Sequence, residues 1–388
     1  MNIPFAAALS FLCKEFFNAP YFDLSQEIHI FVYRLAGQGI CGYASQSQAV
    51  CHYHKNENSI ITAMEILKTS FAGLSLRNPL IVSSCGLTNN ADNNARLAQA
   101  GAAAIVLKSV FEEQIIRESQ HFAQAGAHTE EADYMQEYLQ AGVLNEYITL
   151  IKESKQRCNI PIIASINCNT PGKWEYFAKA IEEAGADALE LNVMSISTDI
   201  EAPYGDFEQR HIEILKAARK ETRLPLIIKL GNNLSNPIRL INMLYANGAA
   251  AVVLFNRFYH PDIDIDKMEY TAGHIFSEPA DLSNALRWTG IASAAVRNAS
   301  IAVSGGVQNG KDIVKAILAG AAAVEVCSAI YRHGDEWIAT ALDEIEAWMR
   351  QNNFDSVASF AGKLNAKDPA HADSLERTQF LKYFGSHL

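Results

Sequence analysis

Two lysines and one glycine pair are the first residues in this sequence whose surroundings imply chemistry. Lys108 ends the apolar run AAAIVLK and Lys229 lies in LPLIIKL. An ammonium at the end of such a run must snorkel to water or meet an anion. Two of them at strand ends point to an anion or an electron-rich ring; ordinary rim lysines are the plainer alternative. Gly305-Gly306 follow SIAVS, and Cys327-Ser328 follow AAAVEV. Such positions can offer bare N–H groups, a hydroxyl and a short helix start to a phosphate, although a glycine pair alone is more often a simple turn. Asn169 and Asn192 carry amides that both donate and accept, which suits the edge of a heterocycle better than a metal. No His/Asp/Glu cluster accompanies them, so metal catalysis is not expected. The HYH at 52–54 reads as a polar surface segment, because no tetrahedral ligand set surrounds it.

These residues need elements to hold them, and the chain repeats one unit from residue 64 onward: an amphipathic helix, a Gly-Ala turn and a short apolar run. It appears as QAGAAAIVLK (99–108), EAGADALELN (183–192), ANGAAAVVLF (246–255) and LAGAAAVEVC (318–327). Each glycine can take the left-handed conformation that closes a helix, and each run is apolar on both faces, as parallel strands covered by helices must be. PLIVSS (79–84), IPIIASI (160–166), LPLIIKL (224–230) and SIAVSG (300–305) bring the strands to eight. Helices such as WEYFAKAIEEA and GKDIVKAILA lie between them. Eight strands with intervening helices predict a (β/α)8 TIM barrel, whose chemistry collects at the carboxyl ends of the strands. An open doubly wound sheet is the alternative, and the chain lacks the GxGxxG turn expected after its first strand. The strand ends are polar: SSCG (83–86), Lys108-Ser109, Asn167-Cys168-Asn169, Asn192, Lys229, Asn256-Arg257, Gly305-Gly306 and Cys327-Ser328.

Residues 1–62 show no sustained periodicity and read as an irregular N-terminal extension, with residues 63–388 forming the barrel. The 388 residues are 49% hydrophobic, enough for a full core. A net charge of −11 gives no reason to expect nucleic acid or an anionic membrane, so the expected partner is a small molecule. Seven cysteines without a CxxC pair predict reduced thiols and a cytoplasmic location. No apolar run is long enough to cross a bilayer, and the first residues lack the positive start of a secretory signal.

Taken together, NPLIVSSCGLT (78–88), VLKS (106–109), ELN (190–192), IKL (228–230), SGGVQNGKDIVKAILAGAAAVEVCSAI (304–330) and SVASFAGKL (356–364) resemble the dihydroorotate dehydrogenase family. The segment from 304 to 330 is the most specific of these. The resemblance implies an FMN-dependent enzyme acting on a CH–CH bond. It implies that Lys108 and Lys229 touch the flavin and that Asn169 and Asn192 bond flavin or substrate. The backbone around Gly305, Gly306, Cys327 and Ser328 would hold the phosphate, with Ser84, Cys85, Gly86 and Ser109 completing the cofactor site. By alignment Ser195 falls on the family's base position. Ser195 and Lys229 are then the catalytic groups, with Lys108, Asn192, Asn256 and Arg257 binding substrate. The implied partners are a soluble electron acceptor and, as in soluble members, a second copy in a homodimer.

The chain departs from the family mainly on the substrate side. Ile196 and Ser197 replace the proline and asparagine of SCPN, and SQHFAQAGAHTEEADYMQEYLQAG (119–142) lacks the NSxGxPN loop. At strand six the family's TNT becomes FNR, and HIFSEPAD (274–281) replaces a glycine-rich segment. The expected substrate is therefore dihydroorotate or a relative, with LFNRFYHPDIDID (254–266) facing it and Tyr259 or His260 near the chemistry. Arg257 either pairs a substrate carboxylate or forms a surface pair with Asp262 or Asp264. Two other classes remain open: a flavin-free lyase forming a Schiff base on Lys108 or Lys229, and a catalytically idle relative.

Overall fold

The computed structural model describes residues 66–111, 129–167 and 174–376, with side chains of 129–141, 143 and 174–176 left aside. The expected N-terminal extension, Asn169 and most of the loop after the second barrel strand lie outside the described residues. The chain enters through a hairpin of β1 (Thr69–Phe71) and β2 (Leu74–Leu76). The first barrel strands are β3 (Leu80–Val82) and β4 (Ala104–Val106), followed by a two-residue strand, β5 (Val110–Phe111). Then come β6 (Ile162–Asn167), β7 (Ala188–Val193), β8 (Leu226–Gly231) and β9 (Ala251–Asn256). A second hairpin of β10 (Pro261–Asp264) and β11 (Glu269–Ala272) is followed by β12 (Ile301–Ser304) and β13 (Ala323–Val326).

Nine of these strands pair in parallel: eight form the barrel, its ring closed by the pairings β13–β3, β3–β4 and β4–β6, and the short β5 adds to the end of β6. The eight apolar runs picked out in the sequence are these eight strands, and a closed barrel replaces the open-sheet alternative. Helices lie between them, among them Trp174–Glu183, Asp206–Glu221 and Gly310–Ala319. Local sequence explains their ends. Asn90, Asn236 and Asn309 each cap a helix by accepting a bond from a backbone N–H three residues on. The glycines of the four repeats, 101, 185, 248 and 320, have φ between 91° and 120°, the left-handed turn that lets the chain leave a helix and re-enter the sheet.

The core has two parts. Outside the barrel, strand and helix side chains form one large apolar shell. Inside, a smaller layer of Ile81, Ile163, Ala188, Ile227, Ala302 and Ala323 packs on Phe71, Ala72 and Leu76 of the first hairpin, which therefore stops the amino end of the barrel. Among the described residues no helix is long and apolar enough to cross a membrane.

Candidate active site

Side chains alternate along a strand, so the residue two positions beyond each floor residue points into the same interior. From Ile81, Ile163, Ala188, Ile227, Ala302 and Ala323 that step leads to Ser83, Ser165, Glu190, Lys229, Ser304 and Glu325. The second interior layer is therefore polar and carries three ionisable groups. Lys229 Nζ donates to Glu325 Oε2 at 2.6 Å and to Ser83 Oγ at 2.8 Å, and lies 3.9 Å from Glu190 Oε1. Ser83 Oγ donates in turn to Glu325 Oε2 at 3.0 Å. All three ionisable residues are buried, both carboxylates to within 1% of completely.

One ammonium stands against two carboxyl groups, and the three cannot all be charged at low cost. Burial would push Glu325 up, but the nearby Lys229 charge and hydrogen bonds outweigh it and hold it below the usual carboxylate range. Burial, with the like charge of Glu325 added, drives Glu190 well above that range. Lys229 is raised: burial opposes its charge, and the two carboxyl groups more than offset that. Both oxygens of Glu190 and Oε1 of Glu325 lack a hydrogen-bond donor. A proton on Glu190 turns one of its oxygens from an unsatisfied acceptor into a donor, as one ammonium facing two carboxyl groups requires.

Above this layer opens a cavity of about 520 Å³, within the ~300–1,000 Å³ of clefts that hold cofactor-sized ligands. It gathers most of the strand-end residues singled out in the sequence. Ser84, Cys85 and Gly86 line it after β3, and Lys108 and Ser109 after β4. Lys229, Asn256 and Arg257 line its middle, and Gly305, Gly306, Cys327 and Ser328 close the far side. Asn192 is not in the lining but accepts a bond from Asn256 Nδ2 at 2.7 Å, which fixes that amide at the cavity edge. Ser195 is also outside the lining; its carbonyl accepts from Asn233 Nδ2, and its buried Oγ has no partner.

Arg257 lines the cavity but does not form the surface pair with Asp262 or Asp264 that the sequence offered. Its Nη2 donates to the carbonyls of His274 (2.7 Å) and Ile275, its Nε lies 3.9 Å from Asp281, and its guanidinium stacks over Tyr259. HIFSEPAD thus braces the arginine at the cavity, where the expected surface pair named Asp262 or Asp264. Lys229 likewise finds its anion within the chain, and Lys108 remains exposed in the lining. Tyr259 lines the cavity, while His260 does not.

At the glycine turn, Gly305 has φ of 93° and nothing within 4 Å of where a Cβ would be, so the space above it is open. Gly306, with φ of 77°, packs against the Leu282 backbone, where any side chain would collide. Ser328 starts a short helix and its Oγ accepts from the Ser277 N–H at 3.0 Å. An open glycine shelf beside a helix start fits a phosphate-bearing ligand.

Two thiols face the same cavity. A hydrogen bond from Cys327 is the largest influence on Cys85; with backbone N–H groups and Tyr331 it outweighs burial and brings the thiol down to about 7. Cys327 is raised correspondingly by Cys85 and by burial. Among the described residues no group of three or more His, Cys, Asp and Glu is arranged to hold a metal ion.

A closed parallel barrel with a cavity at the carboxyl ends of its strands defines the class: a (β/α)8 protein whose candidate site lies where such barrels place theirs. The family model for dihydroorotate dehydrogenase matches residues 66–349, and the chain belongs to that family. It is 27% identical over 315 residues to "Dihydroorotate dehydrogenase B (NAD(+)), catalytic subunit" of Thermoplasma volcanium, covering 77% of this chain and 98% of that protein. The protein of the same name from Methanocella arvoryzae is 30% identical over 281 residues, covering 67% and 85%. That from Methanocaldococcus jannaschii is 23% identical over 312 residues, covering 74% and 95%.

Proposed function

We propose that this protein is an FMN-dependent dehydrogenase that oxidises a CH–CH bond of dihydroorotate or a closely related cyclic acid. The observation that carries the reading is the convergence of Lys108, Lys229 and the open Gly305–Gly306 turn on one cavity. FMN, when bound, supplies a hydride acceptor. Gly305, Gly306 and Ser328 would hold its phosphate, and Ser84, Ser109 and Lys229 would face its ring system. Lys229 has three N–H donors and the buried layer uses two, so one remains for a ligand above it.

On the substrate side, Asn256, oriented by Asn192, offers an amide, and Lys108 and Arg257 supply positive charge for a carboxylate. Proton removal is assigned to Ser195, whose hydroxyl has no competing protein partner. A serine needs a relay to act as base. Cys85 is a second candidate, because its thiol lines the cavity and ionises at about 7. The relatives' name carries NAD(+), which supports NAD(+) as the soluble acceptor.

The test is the visible spectrum of the purified protein followed by anaerobic titration with dihydroorotate. Yellow protein that bleaches on titration supports the reading. Flavin absorption without bleaching moves the substrate elsewhere, and a protein that takes up no FMN refutes the cofactor. Ser195→Ala and Cys85→Ser then separate the two bases: loss of flavin reduction with FMN retained identifies the one that acts.

A further inference from the structure

Glu190 is wholly buried in the interior layer and is not among the residues that line the cavity. From its surroundings we propose that Glu190 is a proton store for the cavity, exchanging its carboxyl proton with bound groups along the hydroxyls of Ser165, Ser109 and Ser84.

Four elements face Glu190. Lys229 on β8 is 3.9 Å away, and Glu325 on β13 holds that same ammonium at 2.6 Å. Ser165 on β6 stands directly opposite in the sheet, and its hydroxyl neighbours the carboxyl. Tyr147, from the helix Thr129–Arg157, brings a phenol that burial keeps neutral. One cation so placed neutralises Glu325 and leaves Glu190 to keep its proton, which agrees with the donor its oxygens lack.

From Ser165 upward the route is continuous, and Glu190, whose oxygens hold no other bond, enters it by turning to the Ser165 hydroxyl on the neighbouring strand. Ser165 Oγ and Ser109 Oγ are 2.8 Å apart, and Ser109 Oγ and Ser84 Oγ 3.0 Å. The Ser109 N–H also donates to Ser84 Oγ at 3.0 Å, which fixes that hydroxyl in place. Tyr147 anchors the lower end, its hydroxyl accepting from Ser165 N–H at 2.7 Å and donating to Ser165 O at 3.0 Å. Ser84 and Ser109 line the cavity, whereas Ser165 is wholly buried. Below Glu190 lies the apolar floor.

In the transfer, the Ser84 O–H proton passes to a base in the cavity as those of Ser109, Ser165 and Glu190 each move up one oxygen. The store ends as a carboxylate beside Lys229, every serine again neutral, and the reverse sequence reloads it. No electrons move. The identity of the group that uses the proton rests on the proposed redox function; the storage and the route do not.

Infrared spectra of the purified protein at neutral pH, recorded in H2O and after transfer to D2O, test both parts. Wild type should show a carboxylic-acid carbonyl stretch that is absent from Glu190→Gln and shifts on deuteration. In Ser109→Ala the band should persist but exchange at least about tenfold more slowly, a barrier rise of ~1.4 kcal/mol. If Glu190→Gln does not fold, Glu190→Asp keeps the acid and should displace the band. The absence of any band sensitive to these Glu190 variants would overturn the store, and unchanged exchange in Ser109→Ala would overturn the route. Neither reading needs flavin, so a protein that fails the redox test can still pass this one, and the reverse.

Discussion

Replacing Lys229 by methionine removes the ammonium from the interior layer while roughly keeping its volume. The lysine side chain is 7% exposed and that of Glu325 not at all, so solvent screens the pair little. Burial offsets much of the attraction between such partners, yet deleting one leaves the other uncompensated, at a cost of about 3–5 kcal/mol. Lys229→Met should therefore lose about that much stability in urea at neutral pH. Glu325 can limit the loss by taking up a proton, so the variant should recover on acidification. The double variant Lys229→Met/Glu325→Gln removes both charges and keeps an acceptor for Ser83; it should regain more than about half of the loss. Urea melts of the four proteins of the cycle measure this directly. A single variant within about 1 kcal/mol of wild type, or a double variant no better than the single, would refute the account of a charge-compensated layer.

Glu190→Gln should change how stability depends on pH. The folded state keeps the Glu190 proton to a higher pH than the unfolded chain, where the group titrates near 4.5. Wild type should thus lose stability as pH rises from there through the raised folded value, by up to about 1.4 kcal/mol per pH unit, and the variant should lack that component. Equal slopes in denaturant titrations of the two proteins would contradict it. Alkylation of Cys85 should be half-maximal near pH 7, and Cys327→Ala should move the midpoint upward, since the Cys327 bond is the largest influence lowering it; peptide mass spectrometry reads the rate. Gly305→Ala should cost about 1–2 kcal/mol in backbone strain and place a methyl in the open space of the turn. FMN retention after gel filtration should then fall, and full retention would remove the turn from the phosphate site.

The fold was legible because its signals are local. Both-face apolar runs, proline-led strand starts and four glycines that end helices are each set by a few neighbouring residues, and all recur in the structure. Lys108, Lys229 and the strand-end turns were legible for the same reason: the barrel puts every carboxyl end at one mouth. Glu190 and Glu325 were not singled out, although the signal is present. Each is one acid within an apolar strand, ALELN and AAVEV, with the same inward parity as Lys229. Their pairing depends on strands far apart in sequence, so periodicity alone could not join them. Arg257 shows the same limit: its partners are backbone carbonyls supplied by the HIFSEPAD segment, and no side-chain pattern marks a carbonyl.

The first hairpin, Thr69 to Leu76, has an effect at the opposite end of the molecule. By stoppering the barrel from beneath, Phe71 and Leu76 turn it from a conduit into a blind well. Once a flat ligand covers the rim, the charged residues underneath lose contact with bulk water. Their counter-charges are then confined with them, so a reaction overhead is sensed by a nearly isolated electrical environment.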